Sequence, residues 1–242
     1  MRFKARTRRL LKHLDQKRIR IREIKEQGYF VQSAVFAPSE LSYLQQEFDR
    51  VHSGLKPGER HFSFSEKFLS YLRGFEALNE LVEVCLGRPG DLVRLIAFDK
   101  TKDANWGVPW HQDRTIAVVG RGDFPGFQAW QDRGDCFHVE PPVEFLEMMV
   151  TLRVHLDPAG EHNGALMVMS GSHLKGRLTQ GQIASLTEQG NPLMCSVEAG
   201  DVMVMRPLLV HSSCSAVSPS RRRVLHLEYC AANLPDGLGW TV

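Results

Sequence analysis

Apolar residues change their spacing along this chain. The change separates a helical first part from a strand-rich remainder. Leu41, Leu44, Phe48 and Val51 recur at helical intervals, with Ser39 placed to cap that helix just after Pro38. Ser65 to Arg73 and Glu76 to Leu86 read as two further helices, the second stopped at Gly87 and Pro89, after a loop at 54–58. Phe62, Phe64 and Phe68 there read as core residues, with the mouth of a pocket as the other role open to them. A short strand precedes the helices: Gly28 to Phe36 is aromatic and β-branched. From Asp91 onward strands dominate: Asp91 to Phe98, Met149 to Leu156, Ala165 to Met169, Val197 to Met205, Leu208 to Ser212 and a run from Arg222. Turn-rich Asp157 to Gly164, a tight turn at Ser170 to His173 and a surface helix at Gln182 to Glu188 separate them. Many short strands, abundant turns and early helices predict a mainly β fold with flanking α-helices, a double-sheet jelly roll.

One stretch has no period. Gly120 to Pro142 is rich in Gly and Pro and too long for a plain connection, which predicts a lid or binding loop. Its aromatic residues, Trp130 among them, would wall a pocket for an organic substrate or form a small core beneath the loop. His138 is a further candidate for the pocket. Arg153, inside a predicted strand, is expected to serve a polar cavity.

Composition adds limits. A hydrophobic fraction of 43% supports an ordinary buried core. No apolar run approaches the roughly 20 residues that span a bilayer. Five cysteines, odd in number and scattered, read as reduced thiols of a cytoplasmic protein, with Cys214 a possible oxidation site or a small buried residue. The net charge of +2 conceals a local +9 through Lys25, which leaves −7 on the remainder. This basic start lacks the apolar core of a secretory signal. It is read as a solvated helix on the domain, a contact for an anionic partner, or an organellar targeting segment. Nothing in the residues speaks to oligomeric state.

The chemistry centres on His111-Gln112-Asp113. In extended backbone, residues two apart share a face, so an imidazole and a carboxylate can reach one ion together. The apolar flanks, Val108 to Trp110 and Thr115 to Val119, make a buried aspartate costly unless it is paired or coordinates a metal. Far downstream Gly200-Asp201, His211 and the arginines 221 to 223 answer it. We read His111, Asp113 and His211 as holding one Fe(II) with open positions beside it; ligand types alone would also suit zinc. Gln112 points away. Thr115 shares the parity of the two ligands. Asn105 and Trp106, in the loop just upstream, are candidates to face the pocket. Arg222 groups by parity with Val224, His226 and Glu228, and Arg223 with Leu225, Leu227 and Tyr229, so Arg222 has the more polar face. Arg221 and Arg223 are expected on the surface. A Pro-containing turn at Ser218 to Ser220 reverses the chain between His211 and Arg222.

Phe98 to Val118 resembles the metal-binding region of the phytanoyl-CoA dioxygenase family, Fe(II)/2-oxoglutarate oxygenases. Asn163 to His173 resembles that family's second conserved segment, with Ser170 where proline is common, and Gly200-Asp201, His211, Ser213 and Arg222 its closing one. The resemblance runs from about Gly28 to Ala232. It implies a double-stranded β-helix of the cupin-like kind, the domain being read as 28–242; 1–27 is read from its own residues as a basic extension expected to be helical. The resemblance implies Arg222 and Ser213 on the distal carboxylate of 2-oxoglutarate, with Lys100 near the same pocket, and His173 as structural. The implied reaction uses O₂ and turns 2-oxoglutarate into succinate while oxidising a small organic molecule. Asp113 favours hydroxylation, or another oxidation such as desaturation, because related halogenases lack that carboxylate. A metal-dependent hydrolase or isomerase on the same barrel, or a non-catalytic binding protein, are the alternatives.

Overall fold

The computed structural model describes residues 2–51, 58–59, 64–217 and 221–242, with side chains from residue 14 except at 58–59. The predicted loop at 54–57, Phe62 and the turn at Ser218 to Ser220 lie outside these residues.

Strand alternation sorts the buried side chains onto two faces. The major sheet runs β1 (Tyr29–Gln32), β11 (Val202–Met205), β8 (Met149–His155), β13 (Arg222–Cys230), β3 (Asp91–Lys100), β2 (Gly58–Glu59) in spatial order. Its outer face presents Leu225, Leu227 and Tyr229 of β13, Val150, Leu152 and Val154 of β8, and Leu95 and Ala97 of β3. These pack against α1 (Arg2–Glu26), α2 (Pro38–Val51), α3 (Glu66–Arg73) and α4 (Glu76–Leu86) through Ile24, Leu44, Phe48, Phe68 and Leu78. Each such apolar side chain removed from water contributes about 1.5–3 kcal/mol. Phe64 and Phe68 lie in this core. The inner face looks toward the minor sheet: β10 (Leu193–Cys195), β9 (Leu166–Val168), β12 (His211–Ser213), β4 (Val108–His111). Met203 and Met205 meet Leu166, Val168 and Leu209 between the two sheets. All strand pairings among the described residues are antiparallel. This is a mainly β jelly roll with flanking helices.

A third sheet, β14 (Gly239–Trp240), β5 (Ile116–Val119), β7 (Phe137–Glu140), β6 (Gln128–Asp132), corrects the lid expected over 120–142. That stretch is an ordered hairpin. Phe127, Trp130 and Phe137 pack on a small core with α5 (Val143–Glu147), Ile116 and Val139. Other boundaries shift for local reasons. The first strand ends early, because Ala34 takes φ 52° and donates its N–H to Asp201 Oδ1 at 2.9 Å. The cap of α2 is Ala37, not Ser39: Pro38 occupies the first helical position, and Glu40 accepts from the Ala37 N–H at 2.7 Å. Strand pairing before Met205 starts only at Val202, since Gly200 turns the chain at φ 90° and Asp201 Oδ2 accepts from Glu198 N–H. Ser172–Lys175 forms a 3-10 turn rather than a plain turn. α6 (Gln180–Gln189) starts earlier than expected because Thr179 and Gln182 form a capping box.

Arg221 is exposed, as expected, whereas Arg223 corrects the expectation made for it. Arg223 is buried, with Nε and Nη2 on Asp157 at 2.9 and 2.8 Å and Nη1 on Asp49 at 3.0 Å. Arg221 pairs with Asp99 at 2.9 Å and Asp49 at 2.7 Å. The two fasten the start of β13 to α2 and β3. Cys214 is exposed, while the other four cysteines are buried and all five are free thiols.

Candidate active site

β4 ends at His111, whose cross-strand partner is His211 at the start of β12. Neighbouring strands therefore set two imidazoles side by side, ring centroids 4.2 Å apart. His111 Nδ1 donates to Pro109 O at 2.8 Å, and His211 Nδ1 to Leu209 O at 2.9 Å. A carbonyl only accepts, so each Nδ1 carries a proton, and in the neutral imidazole each Nε2 keeps a lone pair. Both Nε2 atoms face Asp113: 3.6 Å from His111 to Oδ1 and 3.7 Å from His211 to Oδ2. Oδ2 is buried and has no hydrogen-bond partner. The ligand atoms of all three lie within 4.8 Å of one another. Two imidazole nitrogens and a carboxylate converging on one point fit a cation, and the donor set suits a divalent transition metal. Burial pushes the His211 imidazole down to about 4, leaving it neutral and ready to coordinate. Burial also opposes charge on Asp113, but His211, His111 and His226 outweigh it and hold the carboxyl well below its usual range.

The backbone around the triad is pinned. Gln112 points away from the two ligands, as its parity requires. Its Nε2 donates to Gly176 O and Leu208 O at 2.8 and 2.7 Å, and its Oε1 accepts from Leu178 N–H at 2.8 Å. Asp113 N–H donates to Pro207 O, and Ser172 Oγ accepts from Val210 N–H at 2.8 Å, one residue before His211. His173 stays out of the site, with Nε2 against Lys25 O at 3.1 Å.

The triad opens on a cavity of about 440 Å³ between the sheets, a size suited to small molecules. Lys100, Ser213 and Arg222 form one end. Lys100 Nζ donates to Ser213 Oγ at 2.7 Å and Cys214 O at 2.8 Å, and lies 5.3 Å from the Trp106 ring centre. Ser213 Oγ donates to Gly164 O at 3.2 Å, and Arg222 Nη1 donates to the same carbonyl. Arg222 Nε is buried without a partner. Gly164 has φ 75°, and a side chain there would meet Cys214 O at 2.6 Å. Burial and the charges of Arg222 and Arg153 push the Lys100 ammonium down to about 7. Burial and Arg153 push the Arg222 guanidinium down to about 10, so it stays charged. Crowded, desolvated cations of this kind are built to receive an anion.

Thr115, Trp106, His138 and Arg153 also line the cavity. Asn105 and Trp130 do not. The Asn105 amide is spent on Ala216, donating to its O at 2.9 Å and accepting from its N–H at 2.7 Å. Trp130 packs on the small core of the third sheet. Sequence reasoning missed Arg94, His226 and Glu228, which line the end away from Arg222. Their signal was present: charged or imidazole side chains sharing one parity within apolar strands.

Solved structures of similar fold include AviO1 from Streptomyces viridochromogenes, with 21% identity, TM-score 0.64 and coverage of 91% of this chain and 97% of that one. EctD from S. alaskensis, in its apoform, shares 18% identity with TM-score 0.67 over 87% of this chain and 75% of its own. HygX from Streptomyces hygroscopicus, solved with nickel, 2-oxoglutarate and hygromycin B, shares 17% identity with TM-score 0.61 over 88% and 86%. At these identities the likeness speaks to fold. No curated protein matches the sequence. No described helix is long and apolar enough to cross a membrane. The phytanoyl-CoA dioxygenase (PhyH) family model matches residues 24–224, which include the paired histidines, Asp113 and Arg222, and the chain belongs to that family.

Proposed function

We propose that this protein is an Fe(II)/2-oxoglutarate-dependent oxygenase of the hydroxylase type acting on a small organic molecule. His111 and His211 would hold the ion through Nε2, and Asp113 through a carboxylate oxygen. Arg222 and Ser213 would bind the far carboxylate of 2-oxoglutarate, with the Lys100 ammonium beside them. When bound, the ion and its co-substrate supply an oxidation in which O₂ converts 2-oxoglutarate to succinate and CO₂ and leaves a hydroxyl on the substrate. The chain's own part is to fix two imidazole tautomers, orient the carboxylate, and seat the co-substrate dianion on buried cations. Thr115 and Trp106 wall the same space. That HygX is solved with nickel and 2-oxoglutarate supports this reading.

One observation carries the proposal: three mutually facing ligand atoms open on a cavity whose end holds a buried, charged arginine with an unpartnered Nε. The test is anaerobic. Fe(II) and 2-oxoglutarate added to the protein are expected to give a visible charge-transfer band, absent in His111→Ala. On admitting air, succinate should form with consumption of O₂. A wild-type protein that gives no band, or a His111→Ala variant that keeps it, defeats the assignment.

A further inference from the structure

β3 and β13 run past the proposed metal site, and their inner faces carry polar side chains well beyond the co-substrate end. Arg94 stands six positions before Lys100, and Glu228 six positions after Arg222. At about 3.3 Å per residue each pair lies roughly 20 Å apart, more than one five-carbon diacid spans. The Arg94 end of the cavity is therefore left to the molecule being oxidised.

The side chains there form a connected row. Arg153 Nη1 donates to His226 Nδ1 at 2.9 Å, which puts the His226 proton on Nε2, 3.4 Å from Glu228 Oε1. Arg94 Nη1 donates to the same oxygen at 3.2 Å, and Arg94 Nη2 donates to His138 Nε2 at 3.3 Å. These bonds use two of the five N–H donors of Arg94. Glu228 neutralises Arg94 but nothing more. Near the mouth Arg114 pairs with Glu140 at 2.9 Å, yet Glu140 is shared with Arg177 at 3.5 Å, so one carboxylate serves two guanidiniums. Across the cavity lining, five lysine and arginine side chains stand against two carboxylates. A divalent ion and a dianionic co-substrate cancel each other, so loading the site leaves this positive excess in place. A low-dielectric cleft focuses such a field on whatever enters.

We propose that the primary substrate is a small organic anion, its carboxylate or phosphate held at Arg94 with Arg114 at the mouth. The division of the cavity into two ends rests on the function proposed above; the charge excess is read from the side chains alone. Glu228 sets the strength of this subsite by competing with the substrate for Arg94.

Calorimetric titration tests it. Protein loaded with nickel is titrated with 2-oxoglutarate and then with acetate, inorganic phosphate, acetamide or methylammonium. Saturable binding by acetate or phosphate is expected, with the neutral and cationic probes at least about tenfold weaker, the scale of one charge-assisted hydrogen bond. The tighter of the two anions identifies the substrate's charged group. Arg94→Gln should weaken the anion by about tenfold, and Glu228→Gln should tighten it, with 2-oxoglutarate affinity unchanged in both. A fold defect would move both variants in the same direction. Failure of both anions to saturate, equal binding by acetamide or methylammonium, or weakening in both variants overturns the proposal. Failure at the earlier 2-oxoglutarate step overturns the oxygenase reading instead, and the anion titration is then read on the nickel-loaded protein.

Discussion

Three consecutive arginines lead into β13, and only the middle one enters the cavity. Arg222 faces the site, while Arg221 and Arg223 reach back to aspartates that hold the strand end. Arg222→Ala is therefore expected to raise the 2-oxoglutarate requirement about a hundredfold or more, the scale of losing one partner of a buried charge pair. Arg221→Ala should change it less than about threefold, since exposed pairs are worth about 1 kcal/mol or less. Comparable effects in steady-state kinetics would sink the residue choice. Lys100 gives a pH signature. Burial and the two neighbouring guanidiniums bring it from 10.5 to about 7, so much of the free protein holds it neutral just above pH 7. A bound dianion favours the ammonium, so binding takes up a proton there. Affinity for 2-oxoglutarate should fall as pH rises above about 7, by at most about tenfold per unit. Calorimetry in buffers of different ionisation enthalpy should show proton uptake in the wild type and none in Lys100→Met; a flat pH profile in the wild type would refute the role. At this scale much of the site was legible. His111 and Asp113 share a face because they are two apart, and Arg222 separates from Arg223 by the same alternation. Asn105 was misread because a polar residue in a functional loop looks alike whether it meets a ligand or, as here, clamps the backbone of Ala216.

Elements built by a clean period were readable, and those built by a break in period were not. α3 and α4 fall within a residue of the stretches read as helical, and α4 ends at Gly87 as expected. The β6–β7 hairpin escaped notice for a physical reason. Ala129 takes φ 54°, the register shifts between Gln128 and Gln131, and β6 is mostly exposed, so no alternation marks it. The turn at Gly164 shows how one element serves another. Its carbonyl receives both Arg222 and Ser213, and its φ of 75° leaves no room for a β-carbon beside Cys214 O. Gly164→Ala should cost about 1–3 kcal/mol of stability, the usual strain of a left-handed non-glycine residue. It should also weaken 2-oxoglutarate binding, whereas Gly134→Ala, at φ 94° with nothing within 4 Å, should carry the strain without the binding defect. Thermal melts paired with co-substrate titrations separate the two; unchanged co-substrate affinity in Gly164→Ala would show that the turn does not support the pocket.

The molecule as a whole is a two-sheet sandwich with helices on one side, a third sheet at its flank and chemistry in the gap, and the strand-rich pattern was enough to foresee its class. How α1 docks was not foreseeable, because the run is strongly basic and its apolar positions are sparse. Ile24 nevertheless sits in the core at 1% exposure. Ile24→Ala should cost about 2–5 kcal/mol, read as a fall in Tm; an unchanged Tm would mean that the helix is not fastened there. Nickel with 2-oxoglutarate should raise Tm, since ligands that bind only the folded chain add about 2.7 kcal/mol at a hundredfold excess over Kd. A chelator should reverse the gain, and no gain at saturating ligand would count against both sites. Finally, His111 and His211 are locked by the carbonyls of Pro109 and Leu209 before anything arrives. A rigid, preset trio does little to tell first-row ions apart, and imidazole and carboxylate donors grip nickel, copper and zinc more firmly than iron. Protein recovered from an aerobic preparation is therefore expected to come with the wrong ion aboard, inert until stripped and refilled with ferrous salt.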